Sequence, residues 1–237
     1  MAVPIFVSAG AIADDLVGPA AFTPTPPTHQ ANDILIASLW NEGGSKPSTA
    51  TDGWTEIATG AGTADATWYW KRAAAAGTAG PDVTAADTDC FGLVYVFRNC
   101  NTILTPYEAP TTSGDGGTTD TTPDTAAITT LGHSRLVVAF LNHGDDIAFA
   151  SDNPPAGWTQ NDTTLTADGT DAGFTVISKQ VSQSNLVAAA VFGTWTTGEA
   201  YWALTLALIP NNDTPLNNYK FPSSVSAGII SVTEKIK

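Results

Sequence analysis

The stretch Asp33-Ile34-Leu35-Ile36-Ala37-Ser38-Leu39-Trp40 decides the fold class of this chain. From Ile34 to Trp40 the residues are apolar almost without interruption, and a Gly/Pro/Ser-rich loop then leads to Gly53-Trp54-Thr55. An alternating pattern would leave one face of a strand in water, whereas a continuous apolar run is typical of a strand covered on both faces. The stretch therefore predicts a central β-strand.

The same arrangement recurs in the second half of the chain. Residues 135–141 (RLVVAFL) repeat the apolar run, and the loop after them leads through residues 152–155 to Gly157-Trp158-Thr159. Two further landmarks recur, an aromatic strand and a closing apolar run, at residues 65–70 and 171–177 and at residues 91–97 and 202–208. Because a repeat organises the whole fold, these four landmarks predict an internal duplication with halves 1–104 and 105–210.

The fold class follows from the spacing of short apolar segments. Segments rich in Val, Ile, Thr and aromatic residues, separated by Gly, Pro, Asn and Asp, are typical of an antiparallel sandwich or barrel. We predict an all-β fold, a two-sheet antiparallel jelly-roll-like sandwich in which both halves share one core; two tandem sandwiches joined near residues 101–130 are the alternative. The predicted core residues are Ile34, Ile36, Trp54, Leu93, Leu136, Val138, Trp158 and Leu204.

Two segments lie outside the strong strands. Residues 105–130 are rich in Thr, Gly, Asp and Pro and correspond by the repeat to residues 10–32, so we expect a connection with a short strand of its own. Residues 211–237 have no counterpart, and we predict an extended C-terminal arm there. Within it, residues 227–236 read as a strand that can add to an exposed sheet edge of a neighbour or pair within its own sandwich. The predicted partner-binding residues of the arm are Tyr219, Phe221, Ile230, Val232 and Ile236.

Charge limits the classes of partner. The 237 residues include nine Lys and Arg against 23 Asp and Glu, a formal net charge of −14. This charge repels phosphate backbones and anionic lipids, so we expect binding neither to nucleic acid nor to membranes. The sequence has no apolar stretch near the ~20 residues that span a bilayer and no signal peptide at its start, which predicts a soluble protein made in a cytoplasm.

The two cysteines are predicted to be free. Cys90 and Cys100 bracket the apolar run Phe91–Phe97. If that run is extended at ~3.3 Å per residue, the two Cα atoms lie roughly 33 Å apart, far beyond the ~7 Å that a disulfide tolerates. We therefore expect two buried thiols and no redox or metal pair.

Catalytic residues are sparse. The chain has three histidines, His29, His133 and His143, and lacks a His-Glu-x-x-His helix, a Gly-x-Ser-x-Gly elbow, a Cys-x-x-Cys pair and a phosphate-binding glycine loop. His133 comes at a strand start and His143 just after a strand, so we expect both in solvated loops. We predict that the chain is not an enzyme and has no catalytic residue, cofactor or metal site.

Acidic clusters offer the remaining chemistry. A glycosidase needs two carboxylates on opposite sides of a cleft, and the sequence offers three candidate pairs: Asp14-Asp15, Asp87 with Asp89, and Asp145-Asp146. The sequence does not place any two of them across a cleft. Adjacent aspartates usually form solvated turns because their side chains bond the local backbone. Residues 115–120 (DGGTTD) offer oxygen ligands for calcium but fewer than known calcium loops provide.

The seven tryptophans raise the question of sugar stacking. Trp54 and Trp158 recur beside a glycine at equivalent places, which favours a packing role that buries roughly 200 Å² per ring. Trp68 and Trp70 share one strand face, which is either core or an exposed platform; the core is the favoured interpretation.

These motifs resemble virion proteins of tailed bacteriophages. In that family a strand like Asp33-Ile34-Leu35-Ile36, then Gly53-Trp54-Thr55, then an aromatic strand, builds duplicated β-sandwiches, and the resemblance covers about residues 5–210. It implies a capsid decoration (cement) protein or a tail-associated protein of the virion, which contacts the major capsid protein or other virion proteins and further copies of itself. The alternative is a carbohydrate-binding or receptor-binding module of a tail fibre or collar, which needs exposed aromatic residues at loop tips.

Overall fold

The computed structural model describes residues 2–16, 21–43, 46–49, 53–84, 89–114, 120–144, 154–166 and 172–211. These residues form β-strands and irregular connections, with no helix among them, so the prediction of an all-β fold is confirmed. The strands, numbered in chain order, are β1 Ile5–Ala9, β2 Ala13–Asp15, β3 Ala21–Phe22, β4 Ile34–Asn41, β5 Ser48–Thr49, β6 Thr55–Gly60, β7 Asp65–Arg72, β8 Val83–Thr84, β9 Cys90–Arg98, β10 Tyr107–Gly114, β11 Ile128–Thr129, β12 Arg135–Gly144, β13 Thr159–Thr166, β14 Ala172–Val181, β15 Leu186–Val187 and β16 Tyr201–Leu208.

Strands of the first half form one sheet, called sheet 1. Its order is β1-β9-β4-β7-β6, with antiparallel neighbours, and β2 continues the edge beside β9. Strand β4 is paired along its whole length on both sides, for example Ile36 with Trp70 on β7 and with Tyr95 on β9. The apolar run that begins at Ile34 is therefore the central strand, as predicted.

The second half forms sheet 2, whose strand order repeats that of sheet 1. The order is β10-β16-β12-β14-β13, so each strand holds the place of its counterpart in β1-β9-β4-β7-β6. The connection 105–130, expected to carry one short strand, supplies both the eight-residue edge strand β10 and the short strand β11. A repeated strand order is what a duplicated chain would produce.

Sheets 1 and 2 pack face to face around one core. Strand β4 lies over β12, β1 over β13, and β6 over β10. Between the sheets the rings of Tyr95 and Phe140 lie 5.3 Å apart, and Ser38 Oγ donates a hydrogen bond of 2.6 Å to Asn142 Oδ1. Six of the predicted core residues lie in this shared core: Ile34, Ile36, Leu93, Leu136, Val138 and Leu204.

Small outer layers cover the other face of each sheet. The short sheet β3-β8-β5 covers sheet 1, where Leu35 and Leu39 pack with Phe22 and Val83. On sheet 2, strands β11 and β15 and residues 188–200 form the cover. Because both faces of β4 and β12 are buried, both strands have continuous apolar runs instead of alternating ones.

The two Gly-Trp-Thr motifs occupy matching places in these outer layers. Gly53 and Gly157 have positive φ angles of 87° and 81°, which a glycine adopts without the steric cost that a Cβ atom brings. Each is followed by a buried tryptophan, Trp54 or Trp158, which packs in the outer cluster of its own sheet rather than in the shared core. Lys71 lies over the face of the Trp54 ring, 5.9 Å from its centre. Its counterpart on β14, Lys179, lies beside Gly157.

Four edge strands of the main sheets, β1, β6, β10 and β13, contain a break in register. The shifts fall between residues 6 and 8 in β1, 56 and 58 in β6, 108 and 111 in β10, and 160 and 162 in β13. The breaks in β6 and β13 follow their Gly-Trp-Thr motifs at the same spacing. A bulge twists an edge and interrupts its row of backbone donors and acceptors, so it hinders the addition of a further strand.

Candidate functional site

The two ends of the sandwich differ in charge. At one end β4 and β12 begin and β7, β9, β14 and β16 finish. We call it the arginine end because all three arginines lie there with two lysines: Lys71, Arg72, Arg98, Arg135 and Lys179. The opposite end, called the acidic end, carries seven of the described carboxylates: Asp14, Asp15, Glu42, Asp65, Asp89, Asp120 and Glu199.

Two ion pairs brace the arginine end. Arg98 binds Asp33 with two hydrogen bonds of 2.8 and 2.7 Å, and the Asp33 side chain is 1% exposed. The hydrogen bonds to Asp33 raise the pKa of Arg98. Arg135 binds Glu108 at 3.0 Å and is also buried. Paired charges with this geometry hold the first residues of β4 and β12 in place, so these arginines are structural groups rather than free anion-binding groups.

Exposed apolar side chains gather at the same end. Among the described residues six large apolar side chains are exposed, and five of these lie at the arginine end, with exposed fractions between 44% and 82%. We call them the apolar end surface: Ile5, Ile103, Leu104, Leu131 and Leu186. Ile5 pairs with Arg98, and the backbone N–H of Leu131 donates to Glu108 at 2.7 Å. Single exposed apolar residues are normal on a protein surface; what distinguishes these five is that they share one end of the sandwich.

The chain also passes into its C-terminal residues at this end. Beyond β16, Ile209 O accepts a hydrogen bond of 2.7 Å from Asn101 N, and Asn211 N donates one of 2.7 Å to Asn99 O. The hydroxyl of Thr102 donates to Asn211 Oδ1 at 3.2 Å, directly before Ile103 in the chain. Residues 212–237 therefore begin beside the apolar end surface.

A polar cavity of about 200 Å³ opens beside this exit. Its lining includes the Asp33–Arg98 pair together with Asn32 and Asn99, whose positive φ angles of 71° and 63° are uncommon outside glycine. Asn211, the last described residue, also lines it. The cavity has little apolar wall, so it is suited to polar groups.

The three histidines lie apart. His29 is buried, with Nδ1 2.7 Å from Pro27 O, whereas His133 is exposed at the arginine end, as expected. The expectation for His143 was wrong: β12 continues to Gly144, and His143 is fully buried, with its ring 4.8 Å from Trp195. Gly173 on the paired strand makes room for that ring, because any side chain there would overlap it.

The two cysteines are free and buried. Burial raises the pKa of Cys90 to about 12 and also raises the pKa of Cys100. Since the thiolate is the reactive form, both thiols have low reactivity at neutral pH.

The acidic candidates that lie in the described ranges do not come together as a catalytic or metal site. Asp15 pairs with Cys90 at the start of β9, and Asp89 has a positive φ of 61° just before it. Asp120 Oδ1 accepts hydrogen bonds from the Thr122 backbone and hydroxyl, as a turn-forming aspartate does. Asp87, residues 115–119 and the pair Asp145-Asp146 lie outside the described residues. Within the described ranges no three His, Cys, Asp or Glu side chains are arranged to hold a metal ion.

The described aromatic side chains are buried or half-buried. Trp68 is fully buried and Trp70 is half-buried against the shared core, where its ring meets Tyr107 edge-on at 6.0 Å. Trp202 is also half-buried, and its indole N–H donates to Ala64 O at 3.1 Å. No aromatic side chain in the described ranges is exposed at a loop tip, so these residues give no support to a sugar-stacking platform.

The apolar end surface was not predicted from the sequence, which placed the partner-binding residues on the C-terminal arm. The predicted arm residues Tyr219, Phe221, Ile230, Val232 and Ile236 lie outside the described residues. The apolar end surface was missed because its members are single apolar residues in turn-rich segments, with no period of two or 3.6 to mark them. The one available signal was an adjacent pair, Ile103-Leu104, in the connection between the halves.

The chain was compared with protein-family models, curated proteins and solved structures. No family model, curated protein or solved structure matches this chain. The described residues also contain no helix that is long and apolar enough to cross a membrane.

Proposed function

We propose that this chain is a non-enzymatic structural subunit of a virus particle, a decoration protein on the head of a tailed bacteriophage. The observation that carries the assembly role is the apolar end surface, which lies where the chain passes into residues 212–237. A surface with this composition binds protein better than it binds a small polar substrate.

The interior supports a structural role. Sheets 1 and 2 bury an aromatic core between them, and the Arg135–Glu108 pair and both thiols are buried as well. The Arg98–Asp33 pair braces the start of β4. The phage assignment rests on the resemblance of the strand Asp33-Ile34-Leu35-Ile36 and of the repeated Gly-Trp-Thr motif, and the particle surface is the place where such a subunit acts.

The proposal also gives the subunit an orientation. The arginine end faces other subunits of the particle, either the capsid protein or further copies of this chain. The acidic end, where Asp14 is exposed and four other carboxylates are partly exposed, points into solvent. Placing like charges outward keeps decorated particles apart in suspension, since the described carboxylates of one particle repel those of the next.

Cryo-electron microscopy of virus particles from cells that encode this chain tests the proposal. We expect the sandwich to fit density on the head exterior, with the arginine end in contact with neighbouring subunits and the acidic end exposed. Density for the sandwich on a tail fibre, with glycan bound to it, would replace this function by the receptor-binding alternative. Absence of the protein from purified particles would contradict both the decoration function and the receptor-binding function.

A further inference from the structure

The apolar end surface is too small to hold two subunits together by itself. Five partly exposed aliphatic side chains offer an area of a few hundred Å², whereas stable interfaces bury about 800 Å² on each partner. Charge opposes direct contact as well: residues 1–211 carry six Lys and Arg against 21 Asp and Glu, a net charge of −15. Two bare sandwiches therefore repel each other.

The edges of the main sheets are poor sites for an added strand. The edge strands β1, β6, β10 and β13 each have a break in register, and β10 also contains Pro110, which has no backbone N–H to offer. The sequence pattern predicted an arm that adds to such an edge, but these edges leave the apolar end surface as the better docking site.

Residues 212–237 have the composition that this surface needs. They contain three lysines against Asp213 and Glu234, a net charge of +1, opposite in sign to the sandwich. Their large apolar residues are spread along the segment: Leu216, Tyr219, Phe221, Val225, Ile229, Ile230, Val232 and Ile236. Fully extended, these 26 residues reach roughly 86 Å at ~3.3 Å each, farther than one sandwich is wide.

We propose that residues 212–237 of one copy cover the apolar end surface of a second copy, and that two copies exchange these segments reciprocally. This inference rests on the proposed function, because it names how the subunits join. The chain leaves beside Asn99, Asn32 and Arg98 on the side of sheet 1, whereas Leu131 and Leu186 belong to the outer layer of sheet 2. When the two-fold axis lies parallel to the planes of the sheets, a segment that leaves one copy on the sheet 1 side reaches the sheet 2 side of the facing copy, and the exchange closes as a dimer.

Analytical ultracentrifugation of the full chain tests the exchange. We expect a dimer, and we expect at least a tenfold increase in its dissociation constant for the pair Leu131→Ser and Leu186→Ser and for the pair Tyr219→Ser and Phe221→Ser. Val191→Ser is the matched control, because Val191 is exposed but lies away from this end. Circular dichroism melts should show that each variant stays folded.

Mixing the two deficient proteins distinguishes exchange from a segment that folds back on its own copy. The first variant keeps its segment and the second keeps its surface, so an equimolar mixture should regain a dimer held by one segment, although neither protein dimerises well alone. A full chain that is monomeric at every concentration, a dimer unaffected by both variant pairs, or a mixture that stays monomeric would each overturn the inference. A monomer found on the phage head would leave the proposed function standing, whereas an exchanged dimer absent from particles would remove that function alone.

Discussion

Replacing Phe140 by alanine tests whether the two sheets fold as one unit. Phe140 is fully buried on β12 of sheet 2, and its ring meets two rings of sheet 1, Tyr95 at 5.3 Å and Phe97 at 6.1 Å between centres. Removing a buried Phe side chain costs about 3–5 kcal/mol, because the cavity left behind does not fully collapse. In a chain of this length each kcal/mol lowers Tm by roughly 2–4 °C, so we expect Phe140→Ala to lower Tm by about 6–20 °C.

The assay is hydrogen exchange followed by mass spectrometry during denaturant unfolding. Peptides from β4 of sheet 1 and from β12 of sheet 2 should lose protection together, and Phe140→Ala should shift both by the same amount. A double-mutant cycle with Phe97→Ala should give a coupling of about 0.5–1.5 kcal/mol, typical of an aromatic pair. The control cycle pairs Phe97→Ala with Phe192→Ala in the outer layer of sheet 2, where additivity within roughly 0.5 kcal/mol is expected.

The shared core would be refuted by separate unfolding of the halves. If sheet 1 peptides keep their protection while those of sheet 2 lose it, or if the Phe97 and Phe140 variants are strictly additive, the two sheets are independent units in tandem.

Three further predictions concern single side chains, and a fourth concerns hydrolytic activity. Tyr95→Phe should raise the unfolding free energy by about 1 kcal/mol in denaturant titrations, because the buried Tyr95 hydroxyl has no hydrogen-bond partner in the structure. Burial raises the pKa of Asp162, so its neutral form favours the folded state below the unfolded pKa, and this contribution is lost as pH rises through the folded pKa. Asp162→Asn should therefore raise Tm at pH 7 and have no such effect near pH 3 in calorimetry. Asp33→Ala should lower stability by about 1.5–3 kcal/mol in urea titrations, since the buried carboxylate accepts hydrogen bonds from Arg98 and from the Gln30 backbone N–H. Purified protein should hydrolyse neither polysaccharides nor peptides in reducing-sugar and fluorogenic peptide assays; turnover abolished by Asp145→Asn would contradict the non-enzymatic assignment.

The central strands could be predicted because burial on both faces leaves a direct trace in sequence. The outer layers that cause this burial could not, since β3, β5, β8, β11 and β15 are two-residue strands. A strand of two residues has no measurable period, and its position depends on the sheet it covers rather than on its own propensity.

Polar residues at strand ends were harder to place. The pattern Asn142-His143-Gly144 looks like the loop after a strand, yet Asn142 bonds Ser38 and Leu39 O on the other sheet, and His143 is buried beside Trp195. The partners that make these positions favourable lie about 30 to 100 residues away in the chain, so local sequence does not reveal them. The apolar end surface could not be predicted either. Each of its members is a single apolar residue in a turn-rich segment, and only the folded structure brings these residues to one end of the sandwich.

The register breaks in the edge strands have a consequence for crowding. On either side of its break each edge strand offers only short uninterrupted runs: two and two residues in β1, two and three in β6, two and four in β10, and two and five in β13. A strand of a second copy can therefore pair with at most about five consecutive residues before its backbone hydrogen bonds are interrupted. The bend at each bulge also moves the next residues out of register. We therefore expect concentrated protein neither to pair edge to edge nor to seed fibrils.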